Sequence, residues 1–110
     1  MYESLLKINM LLTEFNVDKK IVVDNEENSV LYGDKKKVVS KEEFVSFLDN
    51  FFRVLRSKII EPKNKGVSLN SDYLLRIRVV EKENSYDYAF RGNSLNEFDE
   101  FYDILSWLRK

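Results

Sequence analysis

Residues 73–91, YLLRIRVVEKENSYDYAFR, contain the clearest strand pattern in the chain. Apolar and polar residues alternate from 73 to 80 and again from 86 to 91, as they do in strands with one buried face. The short polar connection between the two runs predicts a long antiparallel hairpin. Three aromatic residues of the second strand share the inward face and are expected in the core: Tyr86, Tyr88 and Phe90.

The outward face of this hairpin carries Arg76, Arg78 and Arg91. Three cations on one face could bind phosphate or an acidic protein surface, so they form a candidate anion-binding site. Asp87 lies on the same face and could instead pair with one of them across the strands. These arginines support an alternative function, that of a small nucleic-acid-binding or regulatory module.

A helix is predicted earlier in the chain, starting at the sequence Ser40-Lys41-Glu42-Glu43. Ser40 can cap the first turn while Glu43 reaches back to the cap amide. Apolar residues from Phe44 to Ile59 cover about half of the helix circumference, which indicates a central helix packed against the core. The stretch 61–66 contains a proline and a glycine and predicts a break after this helix.

The first half of the chain is predicted to begin with a helix from Tyr2 to Phe15, where apolar residues recur at spacings of three and four. Leu6 and Met10 widen the apolar arc of this helix beyond one core stripe, so we expect it to be covered on two sides or to form an interface. Two β-prone runs, 20–23 and 30–32, predict a first hairpin. The triple lysine that follows is expected in a solvated loop.

A final helix is predicted after a second capping box at 94–97. Trp107 projects away from the apolar stripe of this helix and lies among acidic residues, as a partner-binding side chain would. The alternative is that Trp107 folds over the first helix and that the acidic residues only oppose the helix dipole. The candidate partner-binding residues are Trp107, Asp103, Glu100, Asp99, Leu6 and Met10.

Together these elements predict a single α+β domain spanning residues 1–110, with the order α-ββ-α-ββ-α. Such an order favours a mostly antiparallel four-stranded sheet with the helices packed on one face. A hydrophobic content of 44% and an aromatic content of 14% are high enough for a chain of this length to form one core.

Composition weighs against catalysis, because the chain contains no His and no Cys and its three glycines stand apart. These absences remove the commonest acid–base groups, thiol nucleophiles, most zinc ligands and any glycine-rich phosphate loop. We therefore expect no enzymatic activity, no metal and no cofactor. A net charge of −1 weighs against nucleic acid as a partner. Without a secretory signal or a membrane-length apolar run, a cytoplasmic location is expected.

The remaining function class is a small protein that binds another protein and inhibits or neutralises it, as immunity proteins, antitoxins and phage-encoded inhibitors do. The second hairpin and the last helix resemble parts of several immunity proteins and of small phage inhibitors of CRISPR nucleases. This resemblance implies a bacterial or phage inhibitor whose partner is a nuclease or a toxin, and it supports the class only. The same surfaces could instead join two copies of the chain in a homodimer.

Overall fold

An antiparallel sheet of six strands and two helices form an α+β fold across residues 2–60, 73–92 and 101–109, the residues that the computed structural model describes. The strands run in the order β4-β3-β2-β1-β5-β6 across the sheet. The element bounds are β1 (Leu5–Glu14), β2 (Val17–Asp24), β3 (Ser29–Tyr32), β4 (Lys35–Val38), α1 (Lys41–Ile60), β5 (Tyr73–Glu81), β6 (Ser85–Gly92) and α2 (Tyr102–Arg109).

Both predicted hairpins and the central helix are confirmed, since each depends on a local pattern. β2 pairs with β3 and β5 pairs with β6, both antiparallel. The backbone N–H of Glu43 donates to Ser40 Oγ at 3.2 Å, which is the predicted cap of α1. The predicted break at 61–66 and the second capping box at 94–97 lie outside the described residues.

The predicted first helix is wrong, because most of this segment forms strand β1. Ile8, Met10 and Leu12 are buried in alternation, and β1 pairs with β2 on one side and β5 on the other. β1 is a central strand, and its second face is half-buried instead of fully exposed. That face can therefore carry leucines as well. Those extra leucines produce the three-and-four spacing of a helix, whereas pairing with β2 and β5 on its two sides holds the segment as a strand.

The predicted four-stranded sheet is also wrong, since β1 and β4 raise the number of strands in the described part of the chain to six. β4 contains the triple lysine that was expected in a loop. Gly33, with a φ of 64°, lies in the two-residue turn that brings Lys35 opposite Tyr32. Lysines suit a short edge strand because their charges oppose pairing with another chain.

One face of the sheet packs against the helices and forms the core. Its buried strand residues are Leu5, Ile8, Met10, Leu12, Ile21, Val23, Val30, Tyr73, Leu75, Ile77 and Val79. α1 contributes Phe44, Leu48, Phe51 and Leu55 at spacings of four and three, and α2 contributes Ile104, Leu105 and Leu108. The two described helices thus leave the opposite face of the sheet uncovered.

The β1–β2 hairpin turns at Phe15 and Asn16, which have φ values of 50° and 63°. Two consecutive positive φ angles match the turn that Asn-Gly favours, and a bulky aromatic residue is strained there. We predict that the double variant Phe15→Asn, Asn16→Gly raises the free energy of unfolding by about 1 kcal/mol. Urea denaturation followed by circular dichroism measures this change.

Phe15→Ala is the control for this turn, because alanine keeps the β-carbon that the positive φ disfavours. Since Phe15 is 80% exposed, its ring makes little contribution to the core. A double variant no more stable than Phe15→Ala would contradict turn strain.

Candidate functional site on the open sheet face

The sheet face turned away from α1 and α2 is called the open face, and cross-strand register defines its residues. In the four strands β2, β1, β5 and β6 these are Asp18, Lys20, Val22, Asp24, Lys7, Asn9, Leu11, Thr13, Leu74, Arg76, Arg78, Val80, Ser85, Asp87, Ala89 and Arg91. Arg76 and Arg78 are exposed, whereas the intervening Ile77 on the other face is buried. This alternation shows that the described helices cover only one side.

A shallow concavity of about 550 Å³ lies on the open face. Its residues include Asn9, Leu11, Lys20, Arg76 and Ala89. Leu11 is half-buried, and both Lys20 and Arg76 are its direct cross-strand neighbours. An apolar side chain therefore lies between two cations in the middle of the sheet.

Arg78 and Asp87 form the ion pair that was anticipated on this face. Arg78 Nε donates to Asp87 Oδ1 at 2.7 Å, and Arg78 Nη2 donates to Asp87 Oδ2 at 3.1 Å. The hydrogen bond from Arg78 lowers the pKa of the Asp87 carboxyl, and the same bond raises the pKa of Arg78. This arginine is thus largely neutralised, and its side chain is held beside the concavity.

Lys20 and Arg76 differ from Arg78, because neither makes an ion pair or side-chain hydrogen bond within the described residues. Both side chains are exposed. The open face of the four strands carries five cations and three carboxylates among the described residues, although the whole chain has a net charge of −1. Two of these cations, Lys20 and Arg76, are the direct cross-strand neighbours of Leu11.

The predicted anion-binding residues lie together as expected, with Arg76, Arg78 and Arg91 on one face. The aromatic residues of β6 lie on the other face, where Tyr88 and Phe90 pack against the core while Tyr86 remains 44% exposed. Lys20 and Leu11 belong to the same site but were not among the predicted residues. The alternation of Asn9, Leu11 and Thr13 with the apolar residues Ile8, Met10 and Leu12 is the sequence signal that could have placed Leu11 on this face, beside Lys20.

Trp107 is half-buried and packs within the helix layer. Its ring stacks on Phe47 of α1 with the ring centroids 4.6 Å apart. Lys37 Nζ lies 4.2 Å from the Trp107 ring centroid and donates to the Trp107 carbonyl oxygen at 2.6 Å. Phe47 and Lys37 therefore cover much of the Trp107 ring that a partner would have to contact.

The other predicted partner-binding residues do not form one surface. Met10 is 3% exposed and faces the core, so it has almost no surface to offer a partner. Leu6 is half-buried at the start of β1, where its carbonyl oxygen accepts from the Asn25 N–H at 3.1 Å. Asp103 is exposed on α2. Asp99 and Glu100 lie outside the described residues.

No group of three or more acidic side chains that could hold a metal ion occurs in the part of the chain that the structure describes. Neither of the two described helices is long and apolar enough to cross a membrane.

Comparisons with protein families, with curated proteins and with solved structures found no significant match for this chain. The open face is therefore interpreted from its own geometry.

Proposed function

We propose that this protein is a non-catalytic binding protein that docks an acidic surface of a partner protein on its open face and thereby inhibits or neutralises that partner. The observation that carries the proposal is Leu11 flanked by Lys20 and Arg76, two cations without an ion pair among the described residues. Such a centre suits an apolar side chain surrounded by carboxylates.

Two physical terms would favour docking at this centre. Covering the remaining surface of Leu11 would contribute on the order of 1 kcal/mol. Carboxylates of the partner beside Lys20 and Arg76 would speed association and fix its orientation. The ion pair with Asp87 offsets the charge of Arg78, so Lys20 and Arg76 are the unpaired cations beside Leu11 that would attract the carboxylates of a partner.

A protein fits this face better than a nucleic acid does. Proteins hold single strands by a cationic groove together with aromatic rings on which the bases stack, and in β6 those rings lie on the helix side of the sheet. On the open face Asp87 also neutralises Arg78, one of the three arginines that a phosphate backbone would use. Nucleic-acid binding is therefore an outcome that the experiment must distinguish.

Inhibition is the consequence of docking that best suits a chain without His or Cys. A nuclease or another toxin that uses catalytic carboxylates presents an acidic surface at its active site. A rigid sheet bearing cations around an apolar centre would cover such a surface without any chemistry of its own. The partner class is accordingly a protein with clustered carboxylates beside an exposed apolar residue.

The test uses the double variant Lys20→Glu, Arg76→Glu. Tagged chain is incubated with nuclease-treated lysate of the organism that carries the gene, and the captured protein is purified for binding measurements by calorimetry. We expect the double variant to bind at least about tenfold more weakly than the original chain, because like charges would then meet across the interface. Affinity of the original chain should also fall as salt is added.

The matched control is Lys41→Glu, Arg53→Glu, which makes the same change in net charge at two exposed positions of α1. Its affinity should stay within about twofold of the original, since charges beyond a Debye length are screened. The proposal fails if both double variants bind equally, or if the chain captures protein from untreated lysate but none from nuclease-treated lysate.

A further inference from the structure

The two edges of the sheet differ in how well they resist pairing with another strand. β4 has four residues, three of which are lysines. Short, lysine-rich edge strands oppose the addition of a further strand. β6 has eight residues and pairs only with β5 within the described part of the chain. The β4 edge therefore resists the addition of another strand, whereas the β6 edge presents a long strand with both polar and apolar side chains.

We propose that β6 is a homodimer interface, in which β6 of one copy pairs antiparallel with β6 of a second copy about a twofold axis at Ala89. The result is a continuous sheet of twelve strands with both helix layers on the same side. This inference does not depend on the proposed docking of an acidic partner, because the backbone edge of β6 makes the contact, although the side chains of Asp87, Ala89 and Arg91 also belong to the open face.

Charge complementarity selects this register. With Ala89 opposite Ala89 of the second copy, Asp87 lies opposite Arg91 of that copy, and the same pair recurs on the other side of the axis. Arg91 is exposed and makes no ion pair within the described residues. Opposite charges directly across two strands stabilise the pairing.

The Arg78 side chain does not prevent this contact. Arg78 donates one hydrogen bond to each carboxylate oxygen of Asp87. A carboxylate has about four acceptor positions, so Asp87 can accept from Arg91 of the second copy as well. A register centred on Tyr88 would instead place Asp87 opposite Ala89 and leave Arg91 opposite Ser85. That register pairs no charges.

The helix-side face of β6 supports the same arrangement. In the register centred on Ala89, Tyr88 lies opposite Phe90 of the second copy, and Tyr86 lies opposite Gly92. Tyr86 is 44% exposed, and Tyr88 and Phe90 are half-buried. Cross-strand aromatic pairs stabilise antiparallel sheets, and the glycine leaves space for the tyrosine ring. Dimerisation would thus cover aromatic surface that each copy leaves accessible.

The experiment is sedimentation velocity of the purified full chain over a wide range of concentrations, with Ala89→Lys as the variant. We expect the original chain to form a dimer. Two ammonium groups facing each other at the axis should raise the dimer dissociation constant at least about tenfold. Ala89→Ser is the matched control and should dimerise as the original chain does. Circular dichroism checks that both variants fold, as expected for an exposed position.

Arg91→Glu provides a second variant that keeps the test decisive if Ala89→Lys does not fold. It should also weaken the dimer, whereas Lys82→Glu, the same charge change in the exposed β5–β6 turn, should not. A chain that stays monomeric at all concentrations would overturn the proposal. It would also be overturned if the folded variants at positions 89 and 91 formed dimers as tight as the original.

Discussion

Replacing Phe51 with alanine is expected to lower the free energy of unfolding by about 3–5 kcal/mol. Phe51 is fully buried in α1, facing the sheet. Its ring centroid lies 6.1 Å from that of Phe47 and 5.2 Å from that of Phe52, the latter in an edge-on arrangement. Truncation would remove the buried ring, leave a cavity and break both aromatic contacts. Urea denaturation measures the loss, which is a large part of the stability of a small domain.

Phe15→Ala is the matched control, because it deletes the same ring from a position that is 80% exposed. We expect this change to alter the free energy of unfolding by less than about 0.5 kcal/mol. Equal losses at the two positions would show that α1 does not pack on the sheet as described.

The elements that could be predicted from sequence are those whose pattern is complete within a short segment. Ser40 and Glu43 determine the start of α1 by a cap that needs no other part of the chain. The β5–β6 hairpin is equally local, since its strands are adjacent and alternate regularly. In both cases local preference and the final fold agree.

β1 could not be assigned from its own residues. Its apolar residues lie on both faces, because the strand is central and its second face is half-buried. The same spacing also fits a helix. The strand is held by β2 on one side and by β5, far along the chain, on the other, and the apolar spacing of β1 contains no information about either partner. β4 was missed for another reason, since an edge strand of lysines carries no hydrophobic signal at all.

The candidate site could be predicted only in part for the same reason. Arg76, Arg78 and Arg91 lie on a hairpin that was identified correctly, so their common face followed. Lys20 and Leu11 join them through β1, and the error at β1 concealed both. Trp107 was predicted to be exposed, because a helical projection of α2 contains no information about contacts from other elements. In the structure, Phe47 and Lys37 cover its ring.

Met10→Asp is expected to unfold the protein, whereas Leu11→Asp is expected to leave it folded. Met10 is 3% exposed in the core, and a carboxylate there would have no partner. We expect the loss to be at least about 4 kcal/mol. Leu11 lies between Lys20 and Arg76 on the open face, so an aspartate at this position could pair with either cation. Its cost should stay within about 1 kcal/mol.

Thermal unfolding followed by circular dichroism measures both variants. Equal losses at positions 10 and 11 would contradict the strand, since alternation along β1 gives these two neighbouring residues opposite environments. Leu11→Asp also separates folding from binding. It removes the apolar centre of the open face and neutralises the cations that should attract an acidic partner, so affinity for the captured protein should fall at least about tenfold. A folded Leu11→Asp variant with unchanged affinity would place the partner on another surface and leave the sheet intact.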